Sequence, residues 1–130
     1  MTDEQIIHNL LQAWCENTRL DRKDLILAHH ATDLQIDDVL PPMKYESAAA
    51  YRASWGDWHP ENVGENIFEF QDLAITAGTD VAFAHGFIRC GGTTSHGKKF
   101  EDIVRVTFCL KSVDTKWQVA HQHVSKPLSK

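Results

Sequence analysis

The chain has no basic cluster longer than the pair Lys98-Lys99, and its formal net charge is −5. A phosphate backbone is met by a stripe of Lys and Arg, so nucleic acid is not an expected partner. It also lacks an apolar run of about 18 residues, the length a bilayer core demands, so no membrane contact is expected. The opening MTDEQIIHNLL is acidic and helical in period, without the basic stretch and long apolar run of a secretory leader. Cysteine is sparse. Cys15, Cys90 and Cys109 are odd in number and share no metal-ligand spacing. They read as reduced thiols of a cytoplasmic protein, not as a disulfide framework. Internal repeats, low-complexity tracts and linkers are missing as well, and 130 residues suit one domain over 1–130 with one core.

What is present is a change of period. From Glu4 to Thr18, apolar residues recur at helical spacing (Ile6 or Ile7, Leu10, Leu11, Trp14), with Thr2 or Asp3 as the cap. Asp21 reads as the cap of a short second helix holding Leu25, Ile26 and Ala28. Pro41 and Pro42 force their predecessors to extended geometry, so a strand at Leu34–Asp37 ends in a turn there. SAAAYRASWGDW reads as a third helix, capped by Ser47 and ended by Gly56. After Pro60 the period becomes two. NIFEFQDLAIT, VAFAHGFIRC, FEDIVRVTFCLKS and WQVAHQHVS read as four strands, joined by AGTD, the glycine loop GGTTSHG and VDTK. Helices grouped first and antiparallel strands grouped later predict an α+β fold, with helices over one face of a curved sheet.

The element order, the length and the ending W-x-V-x-H-x-H-x-S-x-P (Trp117, Val119, His121, His123, Ser125, Pro127) resemble the SnoaL-like and ketosteroid-isomerase-like proteins of the nuclear transport factor 2 superfamily. Arg105 with Thr107, the Pro41-Pro42 pair and AYRASW at residues 50–55 extend the likeness over nearly the whole chain. The resemblance implies a cone-shaped α+β barrel, three N-terminal helices packed on a curved, mostly antiparallel sheet. It also implies a homodimer through the open sheet face and a small-molecule pocket in the cone. It does not imply one chemistry.

In the isomerase branch, a carboxylate moves a proton while hydrogen-bond donors hold the developing enolate oxygen. Matched by order, the base falls on Asp38, beside Asp37, and an acidic donor on Asp102. The tyrosine donor of the first helix falls on Trp14, whose indole N–H donates but is far less acidic than a phenol. Asp102 shares a strand face with Phe100, Val104, Val106, Phe108 and Leu110, so burial would raise its pKa. The plainer alternatives are that Asp102 reaches water near the strand start and that Asp38 belongs to an ordinary turn.

Trp117, Val119, His121 and His123 fall on one face of the last strand, so both imidazoles are expected to point into the cone, toward its mouth, as acid, base or orienter. They equally suit a bracing role, bonded to backbone or a carboxylate. Tyr51, Trp55 and Trp58 fall along one helical face. With Trp14, Phe83 and Phe87 they make an apolar wall, and His85 a polar point in it; the same stripe also serves as plain core. A metal would need a third ligand beside His121 and His123. His85 or Asp102 stand on neighbouring strands, but no spacing demands it, and neither metal nor cofactor is expected. His8, His29, His30, His59 and His96 read as solvent-facing.

The sequence therefore points to a protein that binds a small apolar ligand, acting as a cofactor-free isomerase or lyase by proton transfer on a cyclic substrate. The alternative is a catalytically silent dimeric binding or accessory domain. Asp38, Asp102, His121 and His123 are the catalytic candidates. Trp14, Tyr51, Trp55, Trp58, Phe83, His85 and Phe87 are the binding candidates.

Overall fold

The computed structural model of the chain describes residues 1–56 and 64–129. Trp58 and His59 lie outside the described residues. Eight elements follow in order: α1 (Asp3–Arg19), α2 (Lys23–Ile26), β1 (His30–Asp37), α3 (Ala48–Trp55), β2 (Ile67–Ala77), β3 (Val81–Thr93), β4 (Lys99–Val113) and β5 (Lys116–Ser125). Helix α1 starts on a capping box. The Thr2 hydroxyl accepts from Gln5 N at 3.2 Å, and the Gln5 side chain accepts from Thr2 N at 2.8 Å. Ile7, Leu11, Trp14 and Cys15 then form its buried stripe.

Strands β2 to β5 form an antiparallel meander, and β1 adds to β5 in parallel, giving the sheet order β1-β5-β4-β3-β2. The sheet stays open, since β1 and β2 are its two edges. The cone-shaped barrel expected from the resemblance is thus an open sheet. The α+β class stands, but only α1 and α2 precede the sheet; α3 follows β1. Asp21 is not the cap of α2 either. It adopts a left-handed φ of 56° and pairs with Lys23 at 2.7 Å, and Arg22 precedes the helix without a side-chain cap.

One sheet face packs under the helices. Ala82, Ala84 and Ile88 of β3, Val106, Phe108 and Leu110 of β4, and Trp117 and Val119 of β5 meet the α1 stripe there and form the core. Trp117 Nε1 also donates to Asp3 Oδ1 at 3.2 Å, tying the last strand to the first helical turn. Gly91 belongs to β3 rather than to the expected loop, and the reason is steric. A Cβ there would lie 2.3 Å from the Phe100 carbonyl oxygen of β4, so only glycine lets the two backbones pair this closely.

The other sheet face is largely uncovered within one chain. Val81, Phe83, Phe87 and Ile103 are 64%, 48%, 41% and 48% exposed. On it, Arg89 joins Glu101 of β4 and, at 2.8 Å, Glu69 of β2. The arginine that Glu101 meets is Arg89, while Arg105 donates to Ser125 Oγ at 3.1 Å.

Candidate functional site

A cavity of about 850 Å³ lies between the helix-covered face of the sheet and the three helices. Its apolar wall includes Trp14 of α1, Ile26 of α2, Phe68 of β2, Ile88 of β3, Val104 of β4 and Val124 of β5. A volume of this size suits a drug-sized organic molecule. Trp14 is fixed from behind. It meets Phe68 and Phe108 edge-on, with centroids 5.5 and 5.1 Å away, and stacks on Phe70 at 5.8 Å.

Asp38, just beyond β1, reaches this cavity with Tyr51 and Trp55 of α3. The Tyr51 hydroxyl donates to Asp38 Oδ2 at 2.7 Å, and Val39 N donates to Oδ1 at 2.7 Å. Each carboxylate oxygen is held by one donor, which leaves lone pairs on both. Burial first, and the charge of Asp38 second, push the Tyr51 phenol far above its ordinary pKa, so it remains an O–H donor. The site thus combines an oriented carboxylate with a predominantly apolar hollow, an arrangement able to accept a proton from a bound carbon acid.

The other candidates lie elsewhere. Asp102 is not among the cavity-lining residues. Its carboxyl is half-exposed, takes a 2.6 Å ion pair from Lys126 and accepts from Ile103 N at 3.0 Å. The hydrogen bond from Lys126 holds its pKa below the usual carboxylate value, opposite to the rise that burial would give. Phe83, His85 and Phe87 stand on the uncovered sheet face, because it is the small partners Ala82, Ala84 and Gly86 that face the helices. The large-small alternation of β3 was legible, but its inward side is the small one: the helices approach closely there.

His121 and His123 also face away from the cavity. Cys109 pairs with His121 and Leu110 with Val119, so Ala120 is the extra residue of a β-bulge. The register of β1 against β5 shifts at the same point, between His30 and Gln35. Beyond the bulge the parity of β5 reverses, and Gln122 and Val124 take the inward positions. A signal was present in the sequence: Val119 and Val124 are five apart, and an odd spacing cannot keep two apolar residues on one face of an unbroken strand.

Sequence reading also missed His30 and His96. His96 lies at the cavity, on the β3–β4 turn. His30 is only 7% exposed, and its Nε2–H donates to Gln122 Oε1 at 2.8 Å. Its Nδ1 is buried without a partner among the described residues. Burial lowers the His30 pKa, partly offset by the Gln122 bond. The sign follows: the unfolded chain takes up a proton below its ordinary value of about 6.5 while the fold resists it. Stability is therefore full above that pH and declines as pH falls towards the depressed folded value. Thermal melts should show a fall in Tm from pH 7.5 to 5.5 that shrinks in His30→Gln, which keeps a donor for Gln122 but cannot titrate; an undiminished fall would assign the pH dependence to other groups.

Cys15 and Cys90 are not activated nucleophiles. Burial raises the Cys15 thiol to about 12, and it donates to the Phe68 carbonyl at 3.3 Å. Cys90 reaches the cavity, but burial raises its pKa too, as does the charge of Asp102.

An open sheet under helices with a hollow between them is the architecture of nuclear transport factor 2-like proteins. The structure resembles an NTF2-like protein of unknown function from Pseudomonas putida KT2440, with a TM-score of 0.84, 28% identity and coverage of 97% of this chain and 87% of that one. It also shares its fold with a ketosteroid isomerase-like protein from Erwinia carotovora atroseptica (TM-score 0.76, 15% identity, 98% of each chain). The association domain of C. elegans CaMKII has the same fold (TM-score 0.75, 12% identity, 94% of each chain). No protein of curated function matches the sequence. The SnoaL-like domain family matches residues 7–129, and the chain belongs to that family. Among the described residues, no helix is long and apolar enough to cross a membrane.

Proposed function

We propose that the chain binds a small, mostly apolar cyclic molecule in the cavity and that Asp38 moves a proton on it, as in an isomerase or a lyase, with the protein's own side chains supplying the chemistry. The observation that carries this reading is the Asp38 carboxylate in the cavity wall, held at 2.7 Å by the Tyr51 hydroxyl. A carboxylate so placed can meet a substrate C–H at the wall of a mostly apolar hollow. The Trp14 indole lies in the same wall, and we assign its N–H as the donor to the developing enolate oxygen. Asp102, His121 and His123 lie away from the cavity and have no part in this step. The test is conversion of a β,γ-unsaturated cyclic ketone to its conjugated isomer by the wild-type chain and by Asp38→Asn. Equal rates in the two would remove the proposal.

The uncovered sheet face supports a homodimer. Four large apolar side chains, Val81, Phe83, Phe87 and Ile103, stand exposed on it. Small monomers seldom leave so broad an apolar face in water, and a second copy laid against it would bury that face. Light scattering at micromolar concentration is expected to give a particle near twice 14.7 kDa. A particle of 14.7 kDa would count against the pairing.

A further inference from the structure

The same bulge that turns His121 and His123 away from the cavity brings them onto Asp37 at the β1 edge of the sheet. The pairs Gln35↔His121 and Asp37↔His123 place all four residues side by side across β1 and β5. Asp37 Oδ2 lies 3.7 Å from His121 Nε2 and 3.8 Å from His123 Nδ1. One ligand atom from each of the three residues falls within 4.8 Å of the others. Both distances to the carboxylate exceed a hydrogen bond, so the groups converge without bonding one another.

Two of the three are already oriented by second partners. His121 Nδ1 lies 2.8 Å from the Gln35 carbonyl oxygen. A carbonyl can only accept, so Nδ1 carries the proton and the Nε2 lone pair is directed at the cluster. The Gln35 side-chain amide donates to Asp37 Oδ1 at 2.9 Å and leaves Oδ2 for a ligand. Fixing an imidazole through its far nitrogen, and a carboxylate through its far oxygen, is how metal ligands are held.

We propose that Asp37, His121 and His123 form a divalent transition-metal site, with Zn²⁺ as its best-matched ion. Two imidazoles and one carboxylate are the donor set of a borderline cation; Mg²⁺ and Ca²⁺ favour oxygen alone. Bonds of about 2.0–2.1 Å in a tetrahedron set ligand atoms roughly 3.3–3.4 Å apart. Asp37 thus needs to close on each histidine by a few tenths of an ångström, and the two imidazole nitrogens, within 4.8 Å of one another, on each other by no more than about 1.5 Å. The fourth position stays open to water, since the His123 side chain is 51% exposed. The third ligand is Asp37, not His85 or Asp102: it comes from β1, which pairs directly with β5. This site is separate from the cavity and does not depend on what the cavity binds.

The experiment uses the full, tag-free chain, stripped with chelator and titrated calorimetrically with ZnCl₂ at pH 7.5. One Zn²⁺ per chain is expected. Asp37→Ala, His121→Ala and His123→Ala should each weaken binding at least tenfold, and Gln35→Ala by about tenfold through the orientation of Asp37. His8→Ala on α1 and Cys109→Ser should leave it unchanged. His123 is half-exposed, so His123→Ala should keep the wild-type Tm without metal, and its weakened binding cannot then be ascribed to misfolding. A wild-type chain that takes up no Zn²⁺ at 100-fold excess would overturn the site. So would binding that survives all three ligand substitutions, or that Cys109→Ser abolishes.

Discussion

Asp38→Asn is expected to lower the rate of β,γ-enone isomerisation by about 10²–10⁴-fold, the contribution typical of a positioned general base. The amide is nearly isosteric, and its single oxygen can still accept the Tyr51 hydroxyl, which donates to Asp38 Oδ2 at 2.7 Å, although its NH2 then replaces the oxygen that accepts from Val39 N. What it lacks is the capacity to take a proton at neutral pH. Substrate affinity comes mainly from the apolar wall of Trp14, Phe68, Ile88 and Val104, which the substitution leaves alone. The loss should therefore fall on kcat, with KM little changed. Tyr51→Phe separates orientation from chemistry. It keeps the carboxylate and removes one of its two donors, so its rate should fall less than that of Asp38→Asn. A kcat unchanged in Asp38→Asn would take the carboxylate out of the mechanism. A wild-type chain that binds cyclic enones without converting them would leave the cavity as a binding site, the alternative that the resemblance left open.

The sequence was legible wherever a local period decided the structure. The α1 stripe, the Ser47 cap and the β4 alternation all follow from it. In β4 the inward residues Val106, Phe108 and Leu110 are the ones the period of two selects. It was less legible wherever two chain segments far apart set the geometry. Gly91 looks like a loop residue until Phe100 of the neighbouring strand is placed against it. The Ala120 bulge depends on how β5 pairs with both β4 and β1, and it reverses the facing of every residue after it. A single inserted position thus moved His121 and His123 from the expected cavity to the opposite face and put Gln122 inside. The partnership of Asp38 with Tyr51 likewise joins a turn to a helix 13 positions on, a distance that periodicity does not span. Asp102 shows a third limit. Its strand face was read correctly, but Lys126, beyond the end of β5, reaches it and fixes its charge.

The second large effect is expected at Phe108, and it connects the core to the cavity. Phe108 is fully buried and meets Trp14 edge-on at 5.1 Å and Phe70 at 6.1 Å. Phe108→Ala removes a ring from the layer that holds Trp14 in the cavity wall, at a cost of about 3–5 kcal/mol. Domains of this size are held by only about 5–15 kcal/mol, so the variant should unfold at a much lower urea concentration, with an unchanged m-value. Phe108→Leu retains most of the volume and forfeits mainly the aromatic contacts, about 0.5–1.5 kcal/mol per ring pair. It should lie between wild type and Phe108→Ala. Of the two, the alanine variant bears more on function. Where Trp14 can tilt into the vacated space, the wall loses its shape, and ligand affinity should fall although Phe108 itself is not among the lining residues. A midpoint shift equivalent to less than about 1 kcal/mol would show that Trp14 and Phe70 collapse together to refill the hole. The position of the indole would then be set by the strand Phe68 and Phe70 share rather than by the ring behind it.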